Sequence, residues 1–543
     1  MDREATMSKH QTDSLFKIFA ADKLAGEALT WIESQPDTQL LSQPGLSEEQ
    51  LAQAIGQHDA LIIRSGVQVT RAVLNQPGRL KVIARAGVGV DNIDLEAATE
   101  AGVLVINSPQ ASTITTAEHA FALMLALVRH IGPAHKHMTE GGWDRSKFSG
   151  RQLLGKSLGV VGLGRIGRAV AERALAFGMT VLGYDRFYNA ETALDGRVQM
   201  CRSFEELLPQ VDILTFHVPD DDQTRGMLNT QAFQLARRGL YVVNASRGLV
   251  LDEQALLKAL DSGVCAGAGL DVFWSEPLPT DHPLRGHSKV LLTPHLGAST
   301  VEAQQAVSID AAASALAYLR GQGVEGAVNA PGLRLDLSPL QERYGDLARR
   351  MTALIDPMIT CHIDEVEVEV SGAELGSAAE TIERLALVGL LGPHLNTPVN
   401  VVNVCHVAEQ RGIVSKTVTK EEDKFGPYLA IEVRGGEQVR RIMGRVYDDQ
   451  KPRIVEINGY PMDMIPVGDM VLVLNDDKPG VIGTVGTEFG KAQVNIADMT
   501  ISRRGKAALM VLKIDQPPPQ SLIGSLKAQQ GILKVAAVKL PLQ

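Results

Sequence analysis

The chain has 543 residues, 45% of them apolar and 21% charged, which excludes a disordered or fibrous protein. At roughly 150 residues per domain this length predicts three or four domains. Lys and Arg number 53 against 63 acidic residues, a net charge of −10 without the basic excess expected of a duplex nucleic-acid binder. The longest apolar run, Ala120–Val128, is far short of the ~20 residues a membrane helix needs. MDREATMSKHQTDSL lacks the apolar core of a signal peptide, so a cytoplasmic protein is expected. Cys201, Cys265, Cys361 and Cys405 are widely spaced, which predicts reduced thiols and no metal site.

Residues before Leu15 read as a tail. Then KIFAAD, ALIIRSG, LKVIARAG and VLVINSP each predict a buried strand ending in a polar or glycine turn. Glu48–Gln57 predicts an amphipathic helix between two of them, and this alternation predicts a parallel sheet. AEHAFALMLALVRHI (117–131) predicts a helix apolar almost all round, buried in a core or in a subunit interface. The second option would make the protein at least a dimer. From Ser157, six more strands are predicted in SLGVVGLG, TVLGYD, VDILTFHVP, GLYVVNAS, GAGLDVF and KVLLTPH. Helices over 165–177, 204–208, 230–237 and 252–261 separate most of them. Val301–Leu319 predicts one long helix that can lead back to the first unit, and NAPGLRLD reads as a linker.

Residues 331–460 predict helices over Pro339–Ile355 and Ser377–Leu391, and strands in EVEVEVSG, GPYLAIEVRGG and RIVEINGYPMD. From Gly468 a unit of about seventy residues reads strand, helix, strand, strand, helix, strand, the ferredoxin-like order. The expected class is α/β. Two doubly wound parallel-sheet (Rossmann-like) domains are expected, the first over 15–110 and 300–329 and the second over 111–299. An α+β domain over 330–463 and a ferredoxin-like one over 468–543 follow.

Gly162-Leu163-Gly164-Arg165-Ile166-Gly167 fits GxGxxG, follows an apolar strand and opens a helix. Asp185 ends the next strand, 18 residues after Gly167. The glycines let the backbone approach a pyrophosphate at a helix amino terminus, and the acid accepts from ribose hydroxyls. Asp185 would repel a 2′-phosphate, which favours NAD over NADP, although the adjacent Arg186 could counter it. Three more polar residues end later strands or their turns: Arg247, Glu276 and His295. The crevice beyond the carboxyl ends of such strands holds the ligand. An imidazole can take a hydroxyl proton, a carboxylate fixes its tautomer, and a guanidinium grips a substrate carboxylate.

GLGRIG, HVP (217–219), NASRG (244–248), GLDVFWSEP (269–277) and TPHLGAST (293–300) together resemble the D-isomer-specific 2-hydroxyacid dehydrogenases. IIRSGVQVT (62–70) and ARAGVGVDNIDLEAATEAGVLVINSP (84–109) are similar to the branch of that family acting on 3-phosphoglycerate. The resemblance implies catalytic roles for Arg247, Glu276 and His295. It implies that Asp271 holds the nicotinamide carboxamide, and that His217, Val218, Pro219, Thr224 and Ala245 border the cofactor. Arg64, Arg85, Gly87 and Ser112 would bind substrate, with Arg64 at its phosphate. The family usually has Gly-Asn where this chain has Ala111-Ser112.

Asp477-Lys478-Pro479-Gly480, Ile482-Gly483 and Val494-Asn495-Ile496 resemble an ACT domain, an amino-acid-sensing module. The resemblance implies an L-serine effector held by Asp477 and Asn495 on neighbouring domains of a homo-oligomer, dimer or tetramer. Residues 331–460 occupy the place of the intervening domain of long-form members. Two rivals stay open on the sequence alone: a dehydrogenase for glyoxylate, hydroxypyruvate or D-lactate, and a non-catalytic NAD-sensing protein.

Overall fold

Five short strands open the chain: β1 (Phe16–Ala20), β2 (Thr38–Ser42), β3 (Ala60–Ile63), β4 (Val82–Arg85) and β5 (Leu104–Asn107). They form one parallel sheet in the order β2-β1-β3-β4-β5. In this computed structural model the described residues are 15–187, 194–323, 326–395 and 397–542. All four residues of β3 are buried, the unbroken apolar pattern of a strand covered on both faces. The sequence reading missed β2, an edge strand with no buried residue. Helices α1 (Gly26–Glu33), α2 (Glu48–Ile55) and α3 (Leu95–Glu100) connect these strands. The Ser47 hydroxyl accepts from Gln50 N and starts α2; the Asp94 carboxylate accepts from Ala97 N and starts α3.

The second sheet has seven parallel strands: β6 (Ser157–Val161), β7 (Thr180–Tyr184), β8 (Gln199–Met200), β9 (Ile213–Phe216), β10 (Leu240–Asn244), β11 (Cys265–Leu270) and β12 (Val290–Leu292). Their order, β12-β11-β10-β9-β6-β7-β8, reverses between β6 and β9, which opens a crevice at the carboxyl ends there. The expected 117–131 helix is α4 (Thr113–Val128), which stops before the left-handed residue His130, φ 55°. It packs on β10 and β11 and belongs to the core, which accounts for most of its apolar sequence. The next helix, α5 (Ile131–Thr139), buries none of its residues. The Val301–Leu319 helix returns to the first lobe and buries Val307, Ala311, Ala312, Ala315 and Leu316 against its sheet. The lobes are thus joined at two crossings, near 107–112 and 296–301.

The segment read as a linker is docked. The Asn329 carboxamide accepts from Val105 N at 2.8 Å and donates to Val103 O at 2.9 Å, and Ala330 and Leu333 are buried in the first lobe. A mixed sheet follows: β13 (Glu365–Ser371), β14 (Val414–Lys420), β15 (Leu429–Gly435), β16 (Gln438–Val446), β17 (Pro452–Ile457) and β18 (Tyr460–Met464), in the order β14-β13-β15-β16-β17-β18. RIVEINGYPMD is therefore a hairpin rather than one strand. It turns at Asn458-Gly459, both at positive φ, as a two-residue hairpin loop requires. This unit touches the first lobe: the Asn400 carboxamide donates to Gly102 O at 2.8 Å beside α3.

The last sheet, β19 (Gly468–Asp476), β20 (Ile496–Arg504), β21 (Ala507–Ile514) and β22 (Ile532–Leu540), is antiparallel in the order β20-β21-β19-β22. One face packs under the helices Val481–Lys491 and Gln520–Lys527 through Val471, Val473, Met510 and Leu512. The alternate residues Met470, Leu472, Leu509 and Val511 merge with Tyr344, Leu347 and Met351 of the preceding unit into one core.

Candidate active site

At the switch point β6 runs into Gly162, whose φ is 89°. A Cβ there would lie 2.5 Å from His217 O and 2.8 Å from Val218 Cγ1. At Gly167 it would lie 1.9 Å from Gly162 O, whereas at Gly164 it meets nothing within 4 Å. Two glycines therefore allow the tight turn, and the third leaves the amino terminus of α6 (Arg165–Ala176) open to the crevice. Asp185 ends β7. Its oxygens accept from Leu163 N at 2.7 Å and Phe187 N at 2.8 Å, and each keeps a second lone pair for a hydroxyl. Arg186 is paired with Asp221 and donates to Gln223 Oε1 at 2.8 Å, so its charge is already engaged. The Thr224 hydroxyl donates to Pro219 O at 2.6 Å and fixes the Val218-Pro219 turn. His217 shares a hydrogen bond with Thr215 at 3.0 Å, and burial pushes its imidazole down to about 3, so the ring is neutral. Its Nδ1 is enclosed without a partner, and Ala245 is buried at the end of β10. This open helix end, free acid and neutralised Arg186 fit a dinucleotide without a 2′-phosphate.

Across the crevice, His295 Nδ1 and Glu276 Oε2 are 2.7 Å apart. This hydrogen bond raises the imidazole above its ordinary value, with burial opposing and the Glu276 charge assisting. Burial works to raise Glu276, but its bond to His295 and the charge there outweigh it and hold the carboxyl low. Glu276 also accepts from Phe273 N at 3.0 Å, which orients it. The sequence-predicted pair therefore meets with its outer nitrogen, Nε2, left for a substrate.

His295 has a left-handed backbone, φ 55°, a conformation that costs a non-glycine residue about 1–3 kcal/mol. Asp271 holds it there. Asp271, expected at the nicotinamide amide, is fully buried and also bonded within the protein. It accepts from the Thr293 hydroxyl at 2.6 Å and from Leu296 N and Gly297 N, both at 2.8 Å. A fourth partner, His119 Nε2 on α4, stands 3.1 Å away.

The arginines converge from both lobes. Arg247 reaches from the second lobe to the first, its Nε 3.2 Å from Asp91 Oδ2. A Cβ on Gly89 would meet its Nη2 at 2.3 Å. Arg85 folds over Gly87, φ 151°, where a Cβ would lie 1.6 Å from Nη1; only glycine leaves room for the guanidinium. Burial first, then repulsion from Arg247, pushes Arg85 down to about 10; Asp91 opposes this, Arg64 adds to it and Asp22 opposes it least. Its Nε is buried without a hydrogen-bond partner. Asp22 accepts from Arg64 N at 3.1 Å and Gly66 N at 2.9 Å, and the Asn92 carboxamide donates to Arg64 O at 2.8 Å. Ser112 begins α4, 1% exposed, with its hydroxyl unpartnered. Three cations and a buried hydroxyl with spare donors make a site for an anion carrying more than one charge.

Sequence reasoning missed Asp22, Asp91, Asn92 and His119, which act on site residues rather than at the chemistry. Asp91-Asn92 follows the same glycine-rich turn as Arg85 and Gly87, which was the available signal. In the last unit, Asp477 ion-pairs with Arg503 at 3.4 Å and the Asn495 carboxamide donates to Asp515 at 2.6 Å. Among the described residues no His, Cys, Asp or Glu cluster could hold a metal ion, and no helix is long and apolar enough to cross a membrane.

Residues 121–297 match the family model of the D-isomer specific 2-hydroxyacid dehydrogenase NAD binding domain. Residues 341–458 match the D-3-phosphoglycerate dehydrogenase intervening domain, and 470–531 the ACT domain. A D-3-phosphoglycerate dehydrogenase of Methanocaldococcus jannaschii is 37% identical over 97% of this chain and all of its own length. One from Bacillus subtilis is 36% identical, again over 97% of this chain and its whole length. The chain belongs to the D-3-phosphoglycerate dehydrogenase family. Solved structures similar to it cover the two-lobed part. The TT0316 protein of Thermus thermophilus is 33% identical, with TM-score 0.53 over 58% of this chain and all of that one. A glyoxylate reductase from Paecilomyes thermophila is 29% identical, with TM-score 0.53 over 58% of this chain and 98% of that one. The family therefore adds the intervening and ACT units to a two-lobed body that dehydrogenases of other substrates share.

Proposed function

We propose that this protein oxidises 3-phospho-D-glycerate at C2 to 3-phosphohydroxypyruvate with NAD, the first step of L-serine synthesis. The observation that carries this reading is the convergence of Arg64, Arg85 and Arg247, with the charge of Arg247 also acting on His295. Arg247 grips the substrate carboxylate and C2 oxygen, and Arg64 and Arg85 hold the phosphate, whose charge near −2 needs fixed cations. Ser112 and Gly87 border the carboxylate and the phosphate respectively. His295 Nε2 takes the C2 hydroxyl proton while Glu276 at Nδ1 stabilises the imidazolium. NAD, when bound, supplies the hydride acceptor. The turn around Gly162, Gly164, Arg165, Ile166 and Gly167, together with Asp185, His217, Val218, Pro219, Thr224 and Ala245, would hold it. Asp271 would accept from the nicotinamide carboxamide while its bonds to Thr293, Leu296 N and Gly297 N steady the turn that carries His295. Closure of the lobes about the two crossings excludes water.

Steady-state kinetics test this reading. His295→Ala should lower kcat by about 10²–10⁴-fold. Arg64→Ala should cost activity with phosphoglycerate but little with an unphosphorylated D-2-hydroxy acid. Equal losses on both substrates would favour a lactate- or glyoxylate-type enzyme.

The rest of the reading concerns control and assembly. L-serine bound at Asp477 and Asn495, between the ACT units of two copies, would act as effector. The exposed Ile131 and Met138 of α5 and Trp143, 76% exposed, support a homo-oligomer, because such apolar side chains suit a subunit contact. All four cysteines are unpaired, which suits the reducing cytoplasm.

A further inference from the structure

We propose that His119 is a positioning residue for the reaction: through Asp271 it holds the turn 293–297 in the shape that presents His295 to Glu276 and the substrate. The inference rests on the proposed role of His295 as base. It starts from a geometric problem. His295 must keep a left-handed backbone that its side chain disfavours, on a turn at the mouth of the crevice. Such a conformation persists only where the surroundings over-determine it. Chief among the surroundings is one carboxylate. Asp271 has no solvent exposure and gathers Thr293, Leu296 N and Gly297 N, which bracket His295 on both sides, while its own backbone oxygen accepts from His295 N at 2.9 Å.

A fully buried carboxylate is stabilised by donors around it, and His119 stands beside the oxygen, Oδ1, that already accepts from Thr293 and Leu296 N. Its Nε2 is 3.1 Å from Asp271 Oδ1 and 3.2 Å from Thr293 Oγ1. Thr293 spends its proton on Asp271, so its oxygen can only accept from His119; the His119 proton then sits on Nε2, bonded to Thr293 and facing the same carboxylate. His119, partly buried, comes from α4, whose buried residues are apolar apart from Thr116. Thr116 lies against the same turn: a Cβ on Gly297 would be 3.4 Å from its Cγ2 and 3.5 Å from Asp271 Oδ2. Helix α4 begins where the chain leaves the first crossing between the lobes. The clamp therefore ties the His295 turn, just before the second crossing, to a helix that starts at the first.

The test uses the full-length protein with phosphoglycerate and NAD. His119→Leu removes the donor and should lower kcat about 10- to 100-fold, the rate equivalent of one hydrogen bond to a charged group. The KM values for both substrates should stay within about threefold. His119→Gln keeps an amide N–H at the same reach and should recover most of the loss. The pH profile separates positioning from mere structure. Around His295, Glu276 and Asp271 raise its proton affinity and Arg247 lowers it. A slackened turn weakens the Glu276 contact, so the acid limb of kcat should move to lower pH in His119→Leu and return in His119→Gln. Unchanged kcat in His119→Leu overturns the proposal. So does equal damage in both variants with the parent's pH limb, which would mark a folding effect. His295→Ala in the same assay keeps the two readings apart. If it retains turnover, the base assignment fails; if it is inactive while His119→Leu is normal, only the clamp fails.

Discussion

Arg85→Met tests whether the anion site is assembled at the expense of stability. Arg85 is largely buried, and its proton affinity falls from the ordinary 12.5 to about 10, chiefly through burial and then through the charge of Arg247. At about 1.4 kcal/mol per pH unit, that drop corresponds to about 3 kcal/mol of unfavourable interaction in the charged, ligand-free state. Methionine keeps much of the volume and the unbranched stem but removes the charge. That figure already includes the favourable pull of Asp91 and Asp22; the packing lost with the guanidinium offsets part of it, so a net stabilisation of about 1–2 kcal/mol is expected in urea unfolding. The KM for phosphoglycerate should rise at least about tenfold, the cost of a lost charge-assisted contact. Inorganic phosphate should raise the melting temperature of the parent and leave that of Arg85→Met much less affected, because only the parent retains the full cationic site. A variant less stable than the parent, with KM unchanged, would refute the reasoning.

Other outcomes follow from the same geometry. Glu276→Gln should lower kcat about 10- to 100-fold. The sign of its pH effect is fixed by the raised His295. Oxidation needs the neutral ring, so the acid limb should move to lower pH when Glu276 no longer holds the proton; a kcat–pH titration checks this. In stability terms, the contribution of His295 is complete below about 6.5 and fades as pH rises through its raised value; that of Glu276 is complete above about 4.5 and fades on acidification. Asp221→Ala frees Arg186 beside Asp185 and should raise the NADP-to-NAD ratio of kcat/KM about tenfold. Gly167→Ala places a methyl 1.9 Å from a backbone oxygen and should weaken NAD binding and destabilise the second lobe by at least about 1–3 kcal/mol, measured by titration and by urea unfolding.

Much of this architecture was legible in the sequence because parallel strands buried on both faces read as plain apolar runs. β1, β3, β4 and β5 and the longer strands of the second sheet stood out for that reason. β2 and β14 did not, since each lies at a sheet edge and none of their residues is buried. α4 was read correctly as a buried helix, but composition cannot tell a core from an interface; only its contacts with β10 and β11 decide. In the site, Glu276 and His295 were readable because turns ending strands of one sheet meet in one crevice. Asp271 was visible as a residue, yet its contact with His119 was not, because His119 lies far away in sequence on a helix whose buried residues are mostly apolar. Arg247 reaching Asp91 was equally hidden, because it depends on how the lobes face each other.

The core shared by the last two units bears on how a sensor can be attached to an enzyme. Because Met470, Leu472, Leu509 and Val511 interleave with Tyr344, Leu347 and Met351, the ACT sheet is no detachable bead on a tether. Cutting the chain near Val467 would strip an apolar wall from the intervening unit and invite aggregation, so a truncated protein that lost its regulation would report damage as much as deafness. The same wall sets the grain of any signal. A change at β19 or β21 meets close-packed side chains rather than a hinge, and the unit it presses on is itself fastened to the first lobe where Asn400 grips the chain just after α3.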